Sequence, residues 1–267
     1  MGKDISGLTN GTTYYYRAKA SNSVGAVWAS ETKTFKATNT LLNKDSVPDL
    51  VLWLSSDDVD GNGLPDSLSD GSLVHDWKDK SNGGFLVQQA PTSSARPSYK
   101  SQAIGSRGVI RFDGLNDNLY VTSAIQSLGG EVSAFVVAQR EGGLDAQTSG
   151  QTARILGSSE FDLLSGSVNG FAPKIFKFLD ANKTIMNVKL GREDLTQSDF
   201  FKGDIAEVLI FNRYLRLSES QKVEGYLAHK WRATDTLAPG HPYKEVAPAF
   251  DNSPYLKIVA GVDGFDQ

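Results

Sequence analysis

The sequence predicts an all-β chain: an antiparallel sandwich closed by one short helix near the C-terminus, with a smaller β-sheet fragment in front. Three observations carry this. Short apolar segments recur along most of the 267 residues, separated by Gly, Asn, Asp and Ser. Glycine is abundant, at 26 residues, and aromatics make up 10%, a mixture that suits short strands and tight turns. Helical periodicity is confined to one stretch, LSESQKVEGYLAHKW, at residues 217–231.

In chain order, TTYYYRAKA at 12–20 alternates with a period of two, putting Tyr14, Tyr16, Ala18 and Ala20 on one face and Thr13, Tyr15, Arg17 and Lys19 on the other. Ser21, Asn22, Ser23 and Gly25 form a turn, and VWASETKTFKA pairs back as a hairpin. Residues 37–47 are polar and aperiodic and read as a linker. From Pro48, DLVLWL, VHDWKDKSNGG, GVIRFDG, NLYVTS, SAFVVAQ, ARILGS, KIFKFL and DIAEVLIFNR follow as strands at the spacing of a sandwich. The helix takes Ser218 as N-cap with Gln221 completing a capping box. Leu217, Val223, Tyr226, Leu227 and Trp231 fall near helical spacing, with Tyr226, Leu227 and Trp231 as expected core against a sheet, and His229 and Lys230 lie toward water. Trp53 and Trp231 are expected core residues. Residues 245–267 are a tail or the start of a further domain.

Composition narrows function. There is no cysteine, so disulfides, thiolate metal sites and thiol nucleophiles are excluded. A net charge of -4 and a pI near 5.4 supply no cationic field for nucleic acid or an anionic membrane. No apolar run reaches the roughly 18 residues of a membrane span. The opening MGKDISGLTNG lacks the basic and apolar regions of a leader and reads as the middle of a domain, so neighbouring domains of a longer chain are expected.

Two resemblances follow from ordered motifs. ISGLTNGTTYYYRAKASNSVGAVWASETKTF resembles the last two strands of a fibronectin type III domain, with Leu8 and Tyr14 at the tyrosine-corner positions, which makes residues 1–36 a partial domain. DLVLWLSSDD, VHDWKDKSNGG, RPSY, IRFDGLNDNLYV, FFKGDIAEVLIFNRYLRLSESQKVEGYLAHKW and LAPGHPY together resemble the laminin-G-like, concanavalin A-like jelly-roll domains of secreted bacterial proteins, over residues 48–244. The resemblance implies an extracellular or cell-surface setting, a polysaccharide or cell-surface glycan as partner, and a jelly-roll sandwich. The chain departs from that family in carrying its Asn169-Gly170 hairpin early, and in the insertion VDGNGLPDSLSDGSLVHD.

That insertion holds the sharpest motif. Asp58, Asp60, Asn62, Gly63 and Asp66 follow D-x-D-x-N-G-x-x-D, which places oxygen ligands at positions 1, 3, 5 and 9, a glycine at the sharp turn, and the Leu64 carbonyl at position 7. Calcium is the expected occupant, and the loop resembles the DGNGLPD-type calcium repeats of bacterial surface proteins. The twelfth position is Ser69 instead of a bidentate glutamate, with Asp70 next, so affinity is expected on the order of 10⁻⁴ to 10⁻³ M. The competing reading is a solvated Asp/Asn/Gly turn. Asp57, Asp76 and Asp79 are candidate supporting groups.

A ligand face would draw on Trp77, Asp113, Asn116, Asp117 and Tyr120, the aromatics stacking on sugars and the acids forming a polar rim. The plainer readings are core packing for Trp77 and Tyr120 and an Asx-bonded turn for residues 113–118. Glycoside hydrolysis needs two carboxylates on one strand. The nearest approach, Glu160 to Ser165, has a single glutamate, so no catalytic residue is assigned. His75, His229 and His241 lie in different motifs and define no zinc site. The sequence thus favours a non-catalytic, calcium-stabilised carbohydrate-binding or adhesion module. The alternative is a structural spacer presenting a neighbouring catalytic domain.

Overall fold

The computed structural model describes residues 13–36, 49–64, 66, 68–88, 93–121, 131–140, 154–157, 162–164, 173–181, 188–192 and 200–248. The chain divides into two units, one carrying the first four strands and the other spanning Lys44–Pro248.

In the first unit, β1 (Thr13–Tyr16) pairs antiparallel with β4 (Lys33–Lys36), and β2 (Lys19–Ser21) pairs with β3 (Ala26–Trp28). The Asn22 side chain accepts from the N–H groups of Val24 and Gly25, an Asx turn that sets the β2–β3 connection.

The second unit is an antiparallel β-sandwich with one α-helix. Its first sheet contains β5 (Leu50–Ser55), β8 (Ser98–Ile104), β9 (Arg107–Asp113), β11 (Val132–Arg140), β14 (Lys174–Asp180) and β16 (Lys202–Phe211). The order is β14-β11-β16-β9-β8. On the edge of β16 away from β11, residues 202–205 pair with β9 and residues 207–211 pair with β5. The second sheet is built from β6 (Asp76–Lys78), β7 (Leu86–Gln88), β10 (Leu119–Val121), β12 (Arg154–Gly157), β13 (Asp162–Leu164) and β15 (Lys189–Leu190), ordered β13-β12-β15-β10-β7-β6.

Alternation decides what each strand buries. Leu52, Leu54, Ile110, Phe112, Ala134, Val136, Val208 and Ile210 of the first sheet meet Trp77, Val87, Leu119 and Leu190 of the second in one core. The opposite face of the first sheet is also apolar, with Trp53, Phe135, Leu209 and Phe211 buried. Helix α1 (Leu217–Lys230) covers it through Val223, Tyr226 and Leu227. This explains why β11 and β16 read as continuous apolar runs. Each buried side chain of this size contributes roughly 1.5–3 kcal/mol.

The helix begins before the expected cap. Ser218 lies inside α1, and the first turn is closed by the Glu219 carboxylate accepting from the Arg216 N–H at 2.9 Å, with Arg213 holding the same carboxylate at 2.8 and 2.9 Å. Lys230 does not face water. Its side chain is 11% exposed and its ammonium reaches Glu207 at 2.9 Å.

Candidate functional site

The acidic insertion leaves β5 at Ser55 and reaches β6 at Asp76. Gly61 and Gly63 take φ values of +67° and +86°, the left-handed backbone that lets the loop fold tightly. The turn then bonds itself together. Asp60 accepts from the Asn62 N–H at 3.1 Å, Asn62 accepts from the Leu64 N–H at 2.8 Å, and Asp66 accepts from the Val59 N–H. The result brings oxygens of Asp58, Asp60 and Asp66 within 4.8 Å of one another.

Asp58 is the centre of this group. It is 2% exposed. Its Oδ2 accepts from the Gly63 N–H at 3.0 Å and from the Lys80 ammonium, while Oδ1 is buried with no hydrogen-bond partner. Burial pushes the Asp66 carboxyl above its ordinary value against the Val59 bond, and the Asp60 and Asp58 charges add to the rise. Two full charges at such a separation repel by about 3–4 kcal/mol at an effective dielectric near 20. A hard cation with oxygen preference would satisfy both the orphaned oxygen and the repulsion.

The supporting carboxylates are committed elsewhere. Asp57 sits by Arg107 at 2.7 Å and Lys230 at 3.3 Å; burial raises its pKa, and Lys230, the Ser55 hydroxyl and Arg107 outweigh it, so the group titrates below the ordinary range. Asp79 accepts from the N–H groups of Trp53 and Ser81 at 2.8 Å.

Of the ligand-face candidates, Trp77 is corrected to the core reading: it is 0% exposed, and its Nε1–H donates to the Ser55 carbonyl at 3.1 Å. Asp113, Asn116 and Asp117 also take the plainer reading, a self-bonded turn. Asp113 Oδ1 accepts from the N–H groups of Leu115, Asn116 and Asp117 at 2.8–3.3 Å, and Asp117 Oδ2 accepts from the Asp113 N–H at 2.9 Å. Asp117 is 6% exposed, and burial, opposed by the Asp113 N–H and aided by the Asp113 charge, pushes its carboxyl up to about 6.

Tyr120 stands on the outer face of the second sheet. The register aligns Asp76 with Gln88, Gln88 with Tyr120, Tyr120 with Lys189 and Lys189 with Gly157, a row running across five strands. Strand alternation sends these side chains away from the core that Trp77, Val87, Leu119 and Leu190 fill. Gln88 Nε2 donates to Asp76 Oδ1 at 2.9 Å, and His75 Nδ1 lies 2.6 Å from the same oxygen. The row therefore offers acceptors, donors and one aromatic ring side by side. Glu160 lies outside the described residues.

Two polar clusters were not anticipated. Glu207, wholly buried, accepts from Trp53 Nε1 and the Tyr226 hydroxyl at 2.7 Å, from Trp231 Nε1 at 2.5 Å, and pairs with Lys230. Asp204, 1% exposed, takes a two-pronged pair from Arg111 at 2.7 and 3.0 Å and a bond from Gln139 at 2.7 Å. The signal was present: two acids inside the otherwise apolar DIAEVLIF imply buried partners.

No family model and no curated protein matches the chain. Among solved structures it is similar to Trypanosoma rangeli sialidase in complex with sialic acid, at 11% identity and a TM-score of 0.43, over 69% of this chain and 33% of that one. The same sialidase in complex with the inhibitor DANA matches at 10% identity and a TM-score of 0.39, over 64% and 32%. The chain thus spans about a third of the length of these sialidase chains.

Proposed function

We propose that the Lys44–Pro248 unit is a non-catalytic, calcium-stabilised carbohydrate-binding or adhesion module that works outside the cell, with the outer face of the second sheet as its ligand surface. The observation that carries this reading is Asp58 Oδ1, a buried carboxylate oxygen with no hydrogen-bond partner, beside Asp60 and Asp66. Such an atom is costly unless a cation meets it. Asp58, Asp60, Asn62, the Leu64 carbonyl and Asp66 would hold calcium, which supplies charge neutralisation and a fixed loop.

The sugar part rests on the laminin-G-like motifs and on the row Asp76, Gln88, Tyr120 and Lys189. A ring that presents an apolar face beside paired donors and acceptors suits a hydroxylated ligand. A non-catalytic role is supported by the engagement of the buried acids Asp204 and Glu207, each bound by several donors.

Melting in calcium and in chelator tests the metal. At calcium about tenfold above Kd, binding to the native state adds about 1.4 kcal/mol, or roughly 3–6 °C for a domain of this size. Asp58→Asn should abolish that rise. A melting curve indifferent to calcium would defeat the assignment. A glycan array run with wild type and Tyr120→Ala tests the face: binding lost in the variant is the expected result, and no glycan bound by wild type would leave the spacer role.

A further inference from the structure

A cleft lies on the opposite side of the sandwich from the Tyr120 row, and it does not depend on the reading above. Ile175 and Lys177 point outward from β14, next to α1 and to the chain following Thr236. Together they line a cleft of about 290 Å³. Ile175, Leu217 and Leu237 give it apolar walls, and Lys177, Glu224 and His241 give it a polar floor. The volume is at the small end of ligand pockets, which begin near about 300 Å³, so it suits one ring and not a chain.

His241 decides what the floor wants. Its Nδ1 accepts from the Tyr243 N–H at 3.2 Å, which leaves the ring proton on Nε2. The His241 side chain is 6% exposed, and Nε2 is buried with no hydrogen-bond partner. Glu224 Oε2 is 3.4 Å away but misaligned, while Glu224 Oε1 takes the Lys177 ammonium at 2.6 Å. A protonated Nε2 has no lone pair for a metal. The Lys177–Glu224 pair is neutral as a unit, so the cleft favours neither anions nor cations. A hydroxyl would meet the unpartnered donor, accepting from His241 Nε2–H, and would have Glu224 Oε2 beside it as an acceptor for its own proton. A neighbouring hydroxyl would reach Lys177.

We propose that this cleft binds a small neutral polyhydroxylated molecule, a single sugar ring or cyclitol. Gly225 shapes it: a Cβ there would fall 2.4 Å from the Tyr243 Cβ, so glycine lets the His241–Tyr243 segment lie against the helix.

The test is NMR on the full chain with D-glucose, D-galactose, D-mannose and myo-inositol as probes, reading saturation transfer to the sugar and the His241 imidazole resonances. At least one probe should show transfer and shift His241. Leu217→Trp, at an exposed position on the cleft wall, should weaken binding about tenfold or more, the equivalent of one lost good contact. His241→Gln should weaken it likewise. The proposal is overturned if no probe shifts His241, or if binding persists unchanged in both Leu217→Trp and His241→Gln. Transfer lost in Tyr120→Ala alone would assign the sugar to the other face and overturn the cleft.

Discussion

Single residues carry unusual weight here because several charges are buried. Glu207 accepts four donors under α1, so Glu207→Ala would remove the shared acceptor of two indole N–H groups, the Tyr226 hydroxyl and the Lys230 ammonium at once, with Lys230 keeping Asp57 and the Ser55 hydroxyl. Breaking a buried pair of this kind costs about 3–5 kcal/mol, and urea unfolding should show a loss of that size. Glu207→Gln keeps shape but not charge and should lose less. Asp117 works in the opposite sense. Its carboxyl titrates at about 6 in the fold against an ordinary 3.8, so the native state binds the extra proton between those values. Stability contributed by protonated Asp117 is present at low pH and is lost as pH rises through that window, by at most about 3 kcal/mol. Asp117→Asn should flatten this part of the melting-temperature profile and raise stability at neutral pH. A wild-type profile showing no Asp117-dependent fall over that window would contradict it. The turn role of Asp117 was among the sequence readings of residues 113–118, whereas the partners of Glu207 and Asp204 were not legible: two acids lie in an apolar strand, and only tertiary structure names what they bind. Trp77, by contrast, was readable as core from its place in a strand motif.

At the level of elements, the strands were legible because alternation and turn residues are local signals, and the grouping of Asp58, Asp60 and Asp66 because their spacing is local too. What the sequence did not show was pairing. β16 serves β11 on one edge and both β9 and β5 on the other, an arrangement set by long-range register. The helix was found from its 3.6-residue period, but its start was misplaced, since the Glu219 carboxylate that closes it is held by Arg213, a residue outside the helical pattern. Gly225 marks the tightest point of this element. Helix propensity alone would make Gly225→Ala stabilising by about 1 kcal/mol. The added methyl would collide with Tyr243, and overpacking of that kind costs about 1–3 kcal/mol. Net destabilisation is therefore expected in denaturant unfolding, together with altered His241 resonances. A variant more stable than wild type would show that the segment at 241–243 yields freely.

Across the Lys44–Pro248 unit, the two sheets are unequal in strand length and in how many of their faces are covered. The first sheet is covered on both faces, by the second sheet and by α1, and its strands β11 and β16 run 9 and 10 residues. The second sheet's strands run 2 to 4 residues, and Asp76, Gln88, Tyr120 and Lys189 stand on its outer face. Local opening is governed by buried apolar area and by how many backbone bonds are shielded, so the two sheets should differ in amide exchange. Residues 133–138 and 205–210 should exchange only by global unfolding. Residues 76–78, 86–88 and 119–121 should exchange at least about tenfold faster, through local opening. On the proposed calcium reading, calcium should slow exchange in residues 58–66 and at the neighbouring end of β5 while leaving 133–138 unchanged in rank, because the ion would clamp a loop and not build the core. Uniform exchange across both sheets would mean that the outer face of the second sheet is covered and is no ligand surface. Uniform slowing with calcium would make the ion part of the fold itself.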